Sequence, residues 1–261
     1  MKTKFTLCLL LIFSTQVVFA KENPKIIKIE EPETILFIGN SYLYYNDSLH
    51  NHFKRMVEEY RTDFDGGASV KSSTIGGSRL KHHDVERLIQ PKSISSIEKF
   101  ELVILQGGSS ETLNEVNRKD FSYFAKKHID AIKMNGSEAA LYMTHAYTKP
   151  HRRFIKNQIE LISDTYTKVG NENRVLVIPV GLAFDLAYNE KPDIKLHEPD
   201  GTHPNLLGTY LAACTVFASI YDKSPIGIKY DYFGEINEQD KKFLQRIADE
   251  ATSNYYNKTL N

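Results

Sequence analysis

Short apolar runs alternate along this chain with longer segments in which apolar residues recur every three or four positions. The runs that predict strands are Thr34–Ile38, Ala68–Ile75, Leu102–Gln106, Ala139–Thr144 and Val175–Val180. Runs almost continuous in Val, Ile and Leu are typical of strands buried on both faces. The segments of helical period are Leu49–Tyr60, Arg79–Ile89, Asp120–Met134, Phe154–Val169, Leu206–Ile220 and Glu238–Tyr256. This alternation predicts an α/β fold whose parallel sheet carries helices on both sides.

No composition shift divides the chain after its first twenty residues. The sequence has no internal repeat and no low-complexity linker, and Asp63–Gly67 and Lys191–Asp193 are typical of surface turns. The remaining 240 or so residues are a common length for one α/β domain. We therefore expect a single domain over residues 21–261.

The N-terminal segment has the pattern of a signal peptide. Basic Met1–Lys4 precedes the mostly apolar Phe5–Val18, and Val18–Ala20 ends it with the residue types that signal peptidase prefers. The apolar run is short for a membrane span and is interrupted by Ser14–Gln16. We expect residues 1–20 to be cleaved and the protein to be exported, either periplasmic or secreted.

The charge balance gives no reason to expect a polyanionic partner. The whole chain has a formal net charge of zero, and without residues 1–20 it has 31 basic against 33 acidic side chains. We therefore expect neither nucleic acid nor a stable membrane association. Cys214 lies in an apolar stretch and is expected in the core. No Cys/His spacing suggests a metal site, and we expect no metal and no cofactor.

Two segments far apart in the chain carry the clearest chemistry. Ile35–Ser41 is an apolar strand that runs into a Gly-Asn-Ser turn, and Asp200–Asn205 places an Asp three residues before a His. A serine at the end of a strand, with an Asp/His pair supplied from elsewhere, is the combination that a hydroxyl nucleophile needs. The helix expected after Ser41 would also offer backbone N–H groups to a developing oxyanion.

Two more polar loops follow predicted strands. Thr74–Ser78 contains two glycines, and Gln106–Ser110 is a glycine-rich polar loop. The carboxyl ends of parallel strands meet at one edge of a sheet, where ligands bind in α/β folds. Because four such segments occur in order along the chain, the sequence favours a functional site at this edge over a set of simple turns.

These segments resemble the four sequence blocks of the SGNH hydrolases, the GDSL-like esterases. Gly39-Asn40-Ser41, Gly77, a block after the third strand and Asp200-x-x-His203 match in order, over about residues 34–221. Gly-Asn-Ser stands where Gly-Asp-Ser is usual, as in an exported bacterial branch of the family. The resemblance implies a three-layer α/β/α sandwich with a mainly parallel sheet.

The resemblance also implies residue roles. Ser41 would be the nucleophile, His203 the general base, and Asp200 would orient the imidazole. The oxyanion hole would consist of the backbone N–H groups of Ser41 and Gly77 and of one side chain from the third block.

The third block departs from the family pattern. Gly-x-Asn-Asp, with the Asn as donor, is replaced by Gln106-Gly107-Gly108-Ser109-Ser110. Gln106 has the same amide chemistry with one more methylene, and we expect it to be the donor, with Ser109 as the alternative.

Tyr42 and His145 are weaker candidates for substrate binding. Tyr42 follows the expected nucleophile and would line a pocket or pack in the core. His145 ends the fourth predicted strand at the same edge, where it would contact substrate or bond within the protein.

The sequence thus predicts a serine esterase that removes a small acyl group, most plausibly acetyl, from a carbohydrate or another small-molecule ester. Alternatives are a lipid-directed esterase or thioesterase on the same triad, and a non-catalytic glycan-binding protein on a decayed hydrolase fold. Acyl transfer to another hydroxyl would use the same residues.

Overall fold

The computed structural model describes residues 22–261 and is built around one five-stranded sheet. The strands are β1 (Ile35–Gly39), β2 (Val70–Thr74), β3 (Leu102–Gln106), β4 (Glu138–Tyr142) and β5 (Leu176–Ile178). All four neighbouring pairs are parallel, in the spatial order β2-β1-β3-β4-β5. The prediction of a parallel sheet is therefore confirmed.

Nine α-helices occur in the described part of the chain. They are α1 (Ser41–Tyr44), α2 (Leu49–Tyr60), α3 (Gly66–Ser69), α4 (Val85–Leu88), α5 (Glu115–Met134), α6 (Gln158–Asn173), α7 (Val180–Glu190), α8 (Leu206–Tyr221) and α9 (Glu238–Tyr256). A short 3-10 helix covers Leu80–His82. The longer helices lie on the two faces of the sheet, as the α/β/α expectation requires.

Strand alternation sorts the core into two layers. Ile35 and Phe37 of β1 pack with residues of α2, α8 and α9 on one face, whereas Leu36 and Ile38 pack with residues of α5 and α6 on the other. Successive side chains of a strand point to opposite faces, so a strand covered on both sides must be apolar throughout. Cys214 of α8 is buried in the first layer, as predicted, and burial raises the pKa of its thiol.

Some helix predictions were wrong. Arg79–Ile89 is not one helix, because Asp84 accepts a hydrogen bond from the Arg87 N–H and starts α4 as a separate turn. The expected strand Val175–Val180 ends at Ile178, and α7 begins at once. Gly66–Ser69 is a short helix capped by the Asp65 side chain, where the end of the Asp63–Gly67 turn and the start of the Ala68–Ile75 strand were expected.

The chain order creates a crevice at the carboxyl edge of the sheet. From β1 the chain passes to β2 on one side, and β3 then lies on the other side of β1. In α/β sheets the ligand site lies at such a switch point. The ends of β1 and β3 are therefore where a site is expected.

The predicted signal peptide, residues 1–20, lies outside the described residues. Among the helices of residues 22–261, none combines the length and apolar character that a membrane span requires.

Candidate active site

Ser41 lies at the switch point, in the first turn of α1. Asn40 is the N-cap of this helix, and its side-chain oxygen accepts a hydrogen bond from the Tyr42 N–H at 3.1 Å. The Asn40 N–H in turn donates to Gln106 Oε1 at 2.8 Å, which ties the end of β1 to the end of β3. A Cβ on Gly39 would lie 2.8 Å from the Gln106 Cβ, so this approach requires a glycine.

Asp200, His203 and Ser41 form one continuous hydrogen-bond chain. His203 Nε2 lies 2.9 Å from Ser41 Oγ, and His203 Nδ1 lies 2.5 Å from Asp200 Oδ2. The two segments are 162 residues apart in sequence. An imidazole held this way takes up the hydroxyl proton on one side while a carboxylate stabilises the resulting cation on the other.

The Asp200 carboxylate is held in its ionised form. Its Oδ1 accepts from the backbone N–H groups of Thr202 at 2.9 Å and His203 at 3.0 Å. Partial burial alone would raise the pKa of Asp200, but the hydrogen bonds from His203 and these N–H groups outweigh it and lower the pKa. Asp200, which orients His203, therefore stays ionised at pH values below the ordinary pKa of aspartate.

Two tyrosines from α1 and its end hold the His203 loop. The Tyr45 ring stacks on the His203 imidazole with 4.2 Å between centroids and 5° between planes. The Tyr42 hydroxyl shares a 2.8 Å hydrogen bond with Thr202 Oγ1. Tyr42 also lines the pocket next to Ser41, although most of its side chain is buried. It therefore combines the two predicted roles, lining a pocket and packing in the core.

Two backbone N–H groups border the pocket beside Ser41. Ser41 N–H lies at the start of a helix, and Gly77 lines the same pocket with φ +68°, a conformation that favours glycine. Among residues 22–261, neither N–H donates a hydrogen bond to a protein acceptor. Both are therefore available to a ligand oxygen.

The third block separates the two predicted donor candidates. Gln106 is buried; its Oε1 accepts from Asn40 and its Nε2 donates to the Gly107 carbonyl, and it does not line the pocket. Ser109 lines the pocket, and its Oγ accepts a 2.8 Å hydrogen bond from the Tyr147 hydroxyl. The Ser109 proton remains available to a ligand.

The buried Glu111 side chain holds the glycine-rich loop Gln106–Ser110 through a hydrogen bond. The side chain is buried, and its Oε2 accepts from the Gly108 N–H. Burial raises the pKa of Glu111 to about 7 in spite of that hydrogen bond and of nearby Arg79. No sequence pattern indicated this contact, because a single Glu after a glycine-rich loop is common.

His145 lies behind the pocket and does not line it. The ring is 1% exposed and is stacked between Tyr42, at 4.1 Å, and Phe184, at 4.4 Å. Its Nε2 donates to the Thr202 carbonyl at 2.8 Å, and burial keeps its pKa well below the ordinary value. Two roles were predicted for His145, and the structure shows the one in which it is hydrogen-bonded within the protein.

The pocket contains residues that the sequence patterns did not indicate. About 230 Å3 in volume, it is lined by Ser41, His203 and Ser109, and also by Arg79, Tyr147, His151 and Arg153. Tyr147, His151 and Arg153 lie in the connection from β4 to α6, before the segment that was predicted as helix from Phe154. Loops of this kind carry binding residues without a local signal.

Within residues 22–261, no group of three or more His, Cys, Asp or Glu side chains is placed to hold a metal ion.

Solved structures of similar fold include three that cover most of this chain. A DUF4886 family protein from Bacteroides uniformis matches with a TM-score of 0.65 and 18% identity, over 87% of this chain and 96% of that one. An acetyl xylan esterase matches at 0.54 and 16%, over 72% and 99%. A lipase/acylhydrolase from Enterococcus faecalis matches at 0.53 and 16%, over 71% and 93%.

A protein from Slackia heliotrinireducens attributed to the SGNH hydrolases also matches, with a TM-score of 0.53, 20% identity and coverage of 71% and 97%. The sequence itself matches no family model and no curated protein. The fold is that of the SGNH hydrolases, as the sequence blocks predicted.

Proposed function

We propose that this protein is a serine esterase that releases a small acyl group, such as acetyl, from a carbohydrate or related ester. The observation that carries the proposal is the hydrogen-bond chain from Asp200 through His203 to Ser41, at the sheet edge where this fold binds ligands.

The reaction uses the three residues in two half-reactions. Ser41 Oγ attacks the ester carbonyl carbon while its proton passes to His203 Nε2. The bond from the carbonyl carbon to the alcohol oxygen then breaks, and the departing alcohol takes that proton from His203. A water molecule gives its proton to His203 and attacks the acyl-enzyme, which releases the carboxylic acid and returns the proton to Ser41.

The oxyanion of each tetrahedral intermediate would be stabilised by three donors. Two are the backbone N–H groups of Ser41 and Gly77. For the third donor we propose the Ser109 hydroxyl in place of Gln106. Ser109 lines the pocket, whereas both the oxygen and the nitrogen of the Gln106 amide are hydrogen-bonded to the backbone. One such donor is worth about 10²–10³ in kcat.

A small acyl group and a sugar-like alcohol fit the pocket best. Its volume of about 230 Å3 is modest, and its lining is mostly hydroxyl, guanidinium, imidazole and backbone groups. The acetyl xylan esterase among the structures of similar fold adds support. The predicted signal peptide, with export to the periplasm or beyond, fits a substrate outside the cytoplasm.

A lipid-directed esterase is the second candidate, because one observation favours it. A larger pocket of about 410 Å3 shares Tyr147 with the catalytic pocket and includes the exposed apolar residues Phe154 and Ile155. A longer acyl chain extending past Tyr147 would find apolar surface there.

Hydrolysis of p-nitrophenyl acetate, butyrate and octanoate by wild type and Ser41→Ala tests both candidates. We expect turnover that depends on Ser41 and falls steeply with chain length. Equal or faster turnover of octanoate would favour the lipid-directed candidate. Failure of Ser41 to react with a fluorophosphonate, together with no turnover, would overturn the esterase proposal in favour of a binding protein.

A further inference from the structure

The catalytic pocket is positively charged in a chain that is neutral overall. Its lining includes the guanidinium groups of Arg79 and Arg153 and the ring of His151, and it includes no carboxylate. The formal net charge of the whole sequence is zero. The concentration of positive charge beside Ser41 is therefore a local feature of the pocket.

Arg79 is held in place by neutral partners. The half-buried side chain donates to Asn117 Oδ1 at 3.1 Å and to Ser110 Oγ at 3.4 Å. A guanidinium has five N–H donors, so three find no acceptor among residues 22–261. Its position is fixed while its charge stays available.

Arg153 reaches the same pocket from the β4–α6 connection. Its backbone N–H donates to His151 Nδ1 at 3.2 Å, and the His151 ring stacks on Tyr147 at 4.0 Å. Tyr147 in turn donates to Ser109. This connection therefore links Arg153 to the wall of the pocket.

Neither guanidinium forms an ion pair within the described residues, although the buried Glu111 carboxyl lies near Arg79. The arginines that form ion pairs there are Arg61, Arg87 and Arg246. Burial first, and then the charge of Arg153, lower the pKa of His151, while Arg79 and Arg153 are the arginine side chains of the pocket. Uncompensated guanidiniums that share one pocket are a preferred arrangement for binding an oxyanion.

We propose that the alcohol portion of the substrate carries an anionic group, a carboxylate or a sulfate, which binds Arg79 and Arg153 beside Ser41. The substrate class is then an O-acylated acidic sugar. This inference rests on the esterase function proposed above, and it assigns to the two arginines the choice between anionic and neutral esters.

The first test compares two esters that differ only in this charge. They are a monoacetylated methyl glucoside and the matching monoacetylated methyl glucuronoside. We expect wild type to have a kcat/KM about tenfold or more higher for the glucuronoside, mainly through KM, and added salt to reduce that preference. In R79Q/R153Q the preference should disappear. In the neighbouring exposed Arg152→Gln it should persist with unchanged turnover, because Arg152 does not line the pocket.

A binding measurement keeps the test independent of turnover. Calorimetry on Ser41→Ala, alone and combined with R79Q/R153Q, compares glucuronate, a sulfated glucose and glucose. Tighter binding of either acidic sugar, lost with the two arginines, supports the proposal and tells carboxylate from sulfate. Equal or no binding of all three overturns it, even where p-nitrophenyl acetate is hydrolysed. Selective binding of an acidic sugar without Ser41-dependent hydrolysis keeps the anion site and removes the esterase function.

Discussion

The site has two layers that use similar side chains in opposite ways. In the layer facing the pocket, His203 bonds to Ser41 and Asp200, and Ser109 lines the pocket while its Oγ accepts from Tyr147. In the layer behind it, His145 bonds to the Thr202 carbonyl and Gln106 bonds to the backbone of Asn40 and Gly107. Both layers sit at the same sheet edge.

The difference shows that partners, and not residue type, decide the role of a polar side chain here. A buried imidazole or amide must satisfy its hydrogen bonds within the protein. Gln106 does so through both ends of its amide, and His145 does so through Nε2 while its Nδ1 has no partner among residues 22–261; the two residues thereby hold the end of β1 and the Thr202 loop. Substitutions in the pocket layer should therefore change rate, and those in the buried layer should change stability.

The largest expected effect comes from His203→Ala in the pocket layer. Without the base, kcat for p-nitrophenyl acetate should fall by about 10⁴-fold or more. The free energy of unfolding should change by no more than about 1 kcal/mol, since the side chain is 23% exposed. Stopped-flow or steady-state assays and urea unfolding measure the two quantities. Activity within tenfold of wild type would contradict the triad.

Ser109→Ala should lower kcat by about 10²–10³-fold, because it removes the third oxyanion donor while leaving the base and nucleophile intact. The matched control is Ser122→Ala, whose hydroxyl bonds to the Arg118 carbonyl on α5 and does not line the pocket. Equal rates for wild type and Ser109→Ala would remove Ser109 from the oxyanion hole.

Gln106→Leu should act on stability first. The substitution keeps the size of the side chain but leaves the buried Asn40 N–H without its acceptor, which costs about 1–3 kcal/mol. Urea unfolding measures this loss. The control is Gln90→Leu at an exposed position, where the free energy of unfolding should change by less than about 0.5 kcal/mol. Unchanged stability with a 10²–10³-fold loss in kcat would make Gln106 the donor after all.

The smallest expected effect is a change in the pH dependence of stability in His145→Phe. The folded-state pKa of His145 lies well below that of an unfolded histidine, so the unfolded chain takes up this proton first. Stability should therefore be present above about pH 6.5 and be lost as the pH falls below it, by up to about 2 kcal/mol at pH 5.

Phenylalanine has no such proton, and its ring keeps the stacking with Tyr42 and Phe184. The free energy of unfolding of the variant should therefore fall less between pH 7.5 and pH 5 than that of wild type. Histidines with lowered pKa that do not contact His145, such as His83 at about 4, are present in both proteins and cancel in the difference. Parallel pH profiles would show that His145 is not the titrating group.

The hydrophobic pattern predicted most strands and helices, because burial on one or two faces produces a regular spacing of apolar residues in the local sequence. β3 and the helices Leu49–Tyr60 and Glu238–Tyr256 have the predicted bounds. The pattern was misleading in two places. The four-residue helices are too short to show a helical period, and α7 begins directly after a strand that is as apolar as the helix itself.

Sequence alone also placed Ser41, Gly77, Asp200 and His203 at one edge, through motifs whose spacing is local. For the third oxyanion donor it favoured Gln106, with Ser109 as the alternative. Gln106 is the last residue of β3, paired with Tyr142 in the sheet, so its side chain packs inside the fold. Ser109 lies three residues further on, in the loop that opens to the pocket.

The parallel sheet, the helices on both of its faces and the Asp–His motif were thus predicted from contiguous residues, since each depends on neighbours in the chain, whereas the spatial order β2-β1-β3-β4-β5 was decided by the tertiary structure. The charge of the pocket, the acceptor of the His145 Nε2, the backbone donor to Gln106 Oε1 and the contact of Tyr147 with Ser109 were decided only by the tertiary structure. Each of these joins segments more than 35 residues apart, and hydrogen-bond partners at that separation leave no periodic signal in a single sequence.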